Sequence, residues 1–168
     1  MRRSLALNGA LLPVTLVLAG CGLQPLYGGG AGSVAARGLS QIEVGPIAGE
    51  AGWLVANSLR DRLGAGGTAA SPRYRLDVRL DDQLEGLGLL GDDSIGRERR
   101  TLRARYQLVD LASDEIVIDA TAGSDAGIDV VSSEYAVIAA ERTALERLST
   151  EVADQIVTRV ALTLREGR

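Results

Sequence analysis

Arg73-Tyr74-Arg75-Leu76-Asp77-Val78-Arg79-Leu80-Asp81 alternates without a break between charged and apolar side chains. Successive side chains of a strand point to opposite faces, so Tyr74, Leu76, Val78 and Leu80 share one face and the charged residues the other. This is the pattern of a half-buried strand with one solvated face, and it predicts a strand over 73–85. A turn signal follows at Gly91-Asp92-Asp93-Ser94. The alternation then resumes over 97–111, with Leu102, Ala104, Tyr106 and Leu108 on one face and Arg97, Arg99, Thr101, Arg103, Arg105 and Gln107 on the other. The two strands form a long antiparallel hairpin.

The flanks complete the architecture. Gln41 to Ile47 alternates and stops at Pro46, which predicts a first strand. Val55, Leu59 and Leu63 repeat at helical spacing within 50–64, and Gly64, Gly66 and Gly67 end that helix. Trp53, the only tryptophan, is expected in the core or over the sheet edge, with partner contact as its alternative. After a turn at Ala112-Ser113-Asp114, Ile116 to Ala120 reads as a fourth strand, broken by glycine and aspartate through Asp129. Ser132 or Ser133 can cap a long helix reaching Leu164, with Ile138, Leu145, Leu148, Val152, Ile156 and Val160 as its apolar stripe. The order β-α-β-β-β-α gives an α+β fold: a two-layer sandwich with two helices on one face of a mainly antiparallel four-stranded sheet.

The inventory narrows the chemistry. The chain has 168 residues, with one Cys and no His; every basic residue is Arg. Cys/His zinc sites and Ser-His-Asp or Cys-His catalysis cannot be assembled from one such chain. A formal net charge of −4 argues against a global nucleic-acid surface. A carboxylate enzyme would use a pair of acids such as Asp92-Asp93 or Asp81-Asp82. Adjacent acids in a strand point to opposite faces, and acids at a turn serve turn chemistry. The expectation is therefore a binding or anchoring protein, not an enzyme, with no metal and no cofactor.

Residues 1–20 read as a signal peptide: Arg2 and Arg3, an apolar run, then small residues. Leu18-Ala19-Gly20-Cys21 resembles a bacterial lipobox. In that motif the Cys thiol receives diacylglycerol and the new amino terminus is acylated, which would make Cys21 a membrane anchor. Residue 22 is Gly, not the Asp associated with retention in the inner membrane, so the outer membrane is favoured. Glycine-rich residues 21–40 read as a lipidated tether, and 41–168 as a single domain.

Arginines concentrate on the hairpin. Arg73, Arg75 and Arg79 fall on the polar face of the first of its strands, and Arg97, Arg99, Arg103 and Arg105 on that of the second; Arg100 lies on the opposite face. Arginine forks bind phosphate and carboxylate in bidentate fashion. The face therefore favours an anionic partner, and Asp77, Asp81, Glu85 and Glu98 are available to neutralise it instead. No aromatic platform is interleaved with the arginines, so nucleic acid is not expected.

Cys21-Gly22-Leu23-Gln24-Pro25-Leu26-Tyr27-Gly28 resembles the mature amino terminus of the LPS-assembly lipoproteins of the LptE family, in their alphaproteobacterial branch, with Leu23 in place of the usual Phe. Asn57 to Leu63 is similar to the family's first helix. Ser133-Glu134-Tyr135-Ala136, Ala139 to Arg142 and Ile156 to Arg159 are similar to its last. The resemblance implies an outer-membrane lipoprotein, facing the periplasm, that plugs a β-barrel LPS-assembly translocon, aids its assembly and binds lipopolysaccharide. It implies LPS contacts at basic residues near the hairpin end, here Arg97, Arg99 and Arg100, with Arg73, Arg75, Arg79, Arg103 and Arg105 as a wider basic face. The alternative is an accessory lipoprotein of an ABC-type lipid transport system, against which Gln24 to Tyr27 argues.

Overall fold

A computed structural model of the protein describes residues 38–63, 71–89 and 95–166. The segment read as a signal peptide, Cys21, the resemblance-bearing octapeptide and Asp92-Asp93 lie outside these residues. The elements are β1 (Ile42–Val44), α1 (Gly49–Arg62), β2 (Tyr74–Leu89), β3 (Ile95–Asp110), β4 (Glu115–Asp129) and α2 (Glu134–Glu166), in the expected β-α-β-β-β-α order. The sheet order is β1-β2-β3-β4. β1 pairs parallel with β2 through three residues only; β2–β3 and β3–β4 are antiparallel.

The predicted alternation holds where it is strongest. Tyr74, Leu76, Val78, Leu102, Ala104, Tyr106 and Leu108 are buried under the helix layer. β4 corrects the expectation of a short strand over 116–120. It runs fifteen residues, and its inward positions are Ile118, Ala122, Ala126 and Ile128. Alanine and glycine have low strand propensity and hide the period, but fourteen register partners on β3 hold the backbone extended.

α2 supplies most of the cover. Leu145, Leu148, Val152, Ile156 and Val160 are fully buried or nearly so, as the stripe predicts. Ile138 is a correction: it is exposed, because the first turns of α2 extend past the sheet's packed region. Ser133 starts the helix through its backbone carbonyl, which accepts from the Ala136 and Val137 N–H groups at 3.0 and 3.1 Å. Arg62 pairs with Asp154 at one end of the helix pair, while Glu50 shares a cleft with Glu141 and Arg142 near the other. The two helices therefore run parallel.

Two further positions differ from expectation. Trp53 is 64% exposed, because α1 buries the stripe Ala51, Val55 and Leu59 and turns residue 53 outward. Leu39, inside the segment read as a tether, is 3% exposed and belongs to the core.

Candidate functional site

The solvated sheet face is built by the odd-numbered residues of β2 and β3. Register brings Arg79 opposite Arg105, Asp81 opposite Arg103 and Glu85 opposite Arg99. Cα partners in an antiparallel pair lie about 5 Å apart, so each of these arginines has a charged cross-strand neighbour within reach. Arginine-opposite-arginine repels, and arginine-opposite-acid is free to pair.

The observed pairs sort the arginines into two groups. Arg73 meets Asp110 at 3.3 Å, Arg75 meets Asp77 at 3.0 Å, Arg97 meets Asp129 at 3.0 Å and Arg105 meets Asp119 at 3.0 Å. Arg79, Arg99 and Arg103 make no ion pair or side-chain hydrogen bond among the described residues. Arg103 reaches sideways across Gly123 of β4, where a Cβ would stand 2.8 Å from its Cδ and 3.0 Å from Nη1. The Gly123 backbone is gripped from the other side: its N–H donates to Gln155 Oε1 at 3.2 Å, and its carbonyl accepts from Gln155 Nε2 at 3.1 Å. That amide substitutes for a missing strand neighbour at the β4 edge.

Arg79 and Arg105, with Pro46, Asp77, Val78 and Gln107, line a cleft of about 530 Å³ on this face. Asp119 accepts from both Arg105 and Gln107, at 3.0 and 2.9 Å. The Arg105 hydrogen bond, then that of Gln107, holds its carboxyl below the usual aspartate range. The folded pKa lies below the unfolded one, so the pair contributes stability above the ordinary value of about 3.9 and loses it as pH falls through the folded value. A carboxyl NMR titration should give Asp119 a midpoint below that of an ordinary aspartate, moving toward the ordinary value in Arg105→Gln. An unchanged midpoint in that variant would show that Arg105 does not act on Asp119.

Arg100 has a different role from Arg97 and Arg99. It lies on the helix side, as its even position requires, with only 16% of its side chain exposed. Its Nε and Nη2 donate to the two Asp82 oxygens at 2.9 and 2.7 Å, and Nη1 donates to the Glu141 carbonyl at 3.2 Å. The Asp82 hydrogen bond raises its pKa above the ordinary arginine value, against the effect of partial burial. One guanidinium thus ties β2 and β3 to α2. Of the three arginines marked by resemblance, the fold leaves Arg99 free, pairs Arg97 at the surface and commits Arg100 to the scaffold. Arg79 and Arg103, read from sequence only as members of the wider face, are as free as Arg99. Register alone does not separate them: Arg99 and Arg103 stand opposite Glu85 and Asp81 without pairing, while Arg105, opposite Arg79, pairs with Asp119 of β4.

Among the described residues there is no group of three or more metal-ligating His, Cys, Asp or Glu side chains, and no helix long and apolar enough to cross a membrane.

Known proteins resemble this arrangement. A candidate lipoprotein from Caulobacter crescentus CB15 is 26% identical, with a TM-score of 0.68, covering 81% of this chain and 98% of its own. An uncharacterised lipoprotein B from Nitrosomonas europaea shares the fold at 14% identity and a TM-score of 0.57, over 76% of this chain and 90% of its own. The rare lipoprotein B from Shewanella oneidensis does so at 13% identity and a TM-score of 0.54, over 74% and 96%. No curated protein matches the chain. The family model for lipopolysaccharide assembly, LptE, matches residues 39–160, a span that starts at Leu39 of the core and takes in all four strands, α1 and most of α2. The chain belongs to the LptE family of lipopolysaccharide-assembly proteins.

Proposed function

We propose that this protein is an outer-membrane lipoprotein, anchored through acylated Cys21 and facing the periplasm, that partners and plugs a β-barrel LPS-assembly translocon. In this role it aids barrel assembly and delivery of lipopolysaccharide to the outer leaflet. The observation that carries the reading is the family match over residues 39–160, which takes in all four strands, α1 and most of α2. The lipobox-like Leu18 to Cys21 supports the anchor, and its lipoprotein-named structural neighbours are consistent with it. The protein acts by binding and has no catalytic role. It takes no cofactor beyond the diacylglycerol and N-acyl groups on Cys21.

Lipopolysaccharide contact is assigned to the arginine face. Lipid A and its inner core carry phosphates and carboxylates, and a planar guanidinium meets either through two parallel hydrogen bonds. Arg99, Arg79 and Arg103 offer unpaired forks. Arg97 offers a surface fork that an incoming phosphate can take from Asp129, since exposed ion pairs contribute only about 0–1 kcal/mol. Arg100 supports Arg99 from beneath by fixing the β2–β3 register.

The test compares purified full-length protein with its Arg79→Glu, Arg99→Glu, Arg103→Glu triple variant for binding to lipopolysaccharide. The expected result is at least a tenfold loss, the equivalent of about 1.4 kcal/mol, with the wild-type affinity falling as salt rises and the circular dichroism unchanged. Equal binding by a folded triple variant would remove the arginine face from the function. A mild-detergent pull-down from the native outer membrane tests the partner: a stoichiometric β-barrel supports the plug, and inner-membrane transporter subunits in its place would overturn it.

A further inference from the structure

The two edges of the sheet are finished differently. On β4 the Gln155 amide takes both backbone groups of Gly123, and the Ser124 hydroxyl donates to Glu151 of the same helix. β2 has no such cover. β1 pairs with it only from Tyr74 to Leu76, the final bond running from the Gly45 N–H to the Leu76 carbonyl, and Pro46 follows. β2 continues to Leu89. Backbone groups alternate sides along a strand, and those of Leu76 face β1. Val78, Leu80, Asp82, Leu84 and Gly86 therefore aim their N–H and C=O groups at the open edge. None of them bonds a described residue there.

An open edge is a template for another strand, and proteins blunt it with lysine, proline, a bulge or a covering element. From Val78 to Gly86 there is no lysine, no proline and no positive φ. Each of residues 81–86 is exposed, whereas Leu102 and Ala104, in the facing stretch of β3, are buried. Leu84, on the helix side, is 44% exposed. Asp82 is an inward charge of the kind that deters pairing, but Arg100 neutralises it. The cleft lined by Pro46, Val78 and Arg79 opens at the start of this edge.

The side chains fix the chemistry of the strand that fits. Directly opposite side chains on neighbouring strands lie about 5 Å apart. On the solvated face an added strand would meet Asp81, Gln83 and Glu85, and on the helix side Leu80 and Leu84. The Asp81 carboxylate accepts only from the Gln83 amide, and Glu85 makes no ion pair among the described residues. We propose that the β2 edge over 78–86 binds an extended segment of a partner polypeptide as a fifth strand. That segment alternates apolar residues beside Leu80 and Leu84 with basic residues beside Asp81 and Glu85. The main-chain ladder supplies affinity, and the alternate side chains supply selectivity. This edge goes beyond the plug reading and does not depend on acylation of Cys21.

The experiment uses the purified full-length protein and the capped peptide Val-Lys-Val-Thr-Val-Lys-Val, which reads the same in both chain directions. A counterpart carries Glu at both Lys positions. Amide hydrogen exchange, followed by NMR, reports on β2. In the free protein the Leu80, Asp82, Leu84 and Gly86 amides should exchange fast. The lysine peptide should slow them several-fold, and the glutamate peptide should bind at least tenfold more weakly. Leu84→Pro removes an outward N–H and leaves the β3 ladder intact, so it should weaken binding at least tenfold. Leu84→Thr keeps that N–H and should bind within a few-fold of wild type. Should Leu84→Pro not fold, the Asp81→Asn, Glu85→Gln double variant is the comparison, with a several-fold loss expected. Outward amides already protected in the free protein, or unaffected by millimolar lysine peptide, would overturn the docking edge. Equal binding of the two peptides would overturn the basic character assigned to the segment, and slowed exchange elsewhere than on β2 would overturn its placement.

Discussion

Replacing Gly52 by alanine lowers the expected stability by roughly 1–3 kcal/mol, although alanine in a helix ordinarily gains about 1 kcal/mol over glycine. The reversal comes from the chain that precedes α1. A Cβ at position 52 would stand 2.6 Å from the Ile47 carbonyl oxygen and 2.8 Å from its carbon. Both are backbone atoms, so no side-chain rotation relieves the contact. Either α1 moves off the β1 loop or the loop moves off Pro46. The first loosens Val55 and Leu59, both fully buried. The second disturbs the Gly45 N–H bond to Leu76 O, made at 3.0 Å. Urea unfolding of Gly52→Ala beside wild type measures the difference; a variant equal to or more stable than wild type would show that the approach is not tight.

Leu148→Ala is expected to cost more, about 2–5 kcal/mol. Leu148 has no exposed surface. It sits on the face of α2 that covers β3 and β4, with Leu145 and Val152 beside it on the helical stripe. Truncation removes its apolar transfer energy and leaves a space that the neighbouring elements cannot close, because an intact antiparallel ladder fixes their spacing. Thermal unfolding should shift by several degrees. By contrast Ile138→Ala, on the exposed first turns of the same helix, should shift it little. Equal effects at the two positions would mean that the first turns of α2 are packed after all.

The contrast between Leu148 and Ile138 shows where periodicity is informative. Both fit one stripe, and the stripe correctly names the helix and its buried face. What it does not contain is how far the sheet extends beneath. Trp53 makes the same point on α1, where three better-placed residues claim the core. β4 is the opposite case: Ala122, Gly123 and Ala126 carry no strand signal of their own, and pairing with β3 makes them a strand.

The site divides in the same way. That arginines crowd one face of a hairpin is legible from alternation alone. Which of them are free is not. Arg79 has Arg105 across from it, Arg97 has Asp129 within reach, and Arg103 lies over a glycine two strands from the hairpin's outer edge. Each outcome depends on a residue far away in the chain.

The amino-acid order by itself determined the element sequence, the buried faces of β2, β3 and the two helices, the crowding of positive charge on the hairpin and the lipobox-like motif. These follow from local periods of two and of 3.6 and from short motifs, which need no knowledge of neighbours. Only the tertiary structure decided the full length of β4, the exposure of Trp53 and Ile138, the intolerance of Gly52 to a side chain, and the commitment of Arg100 to Asp82. All of these are distances between residues remote in sequence, and they are set by strand register and helix placement, which no local pattern encodes.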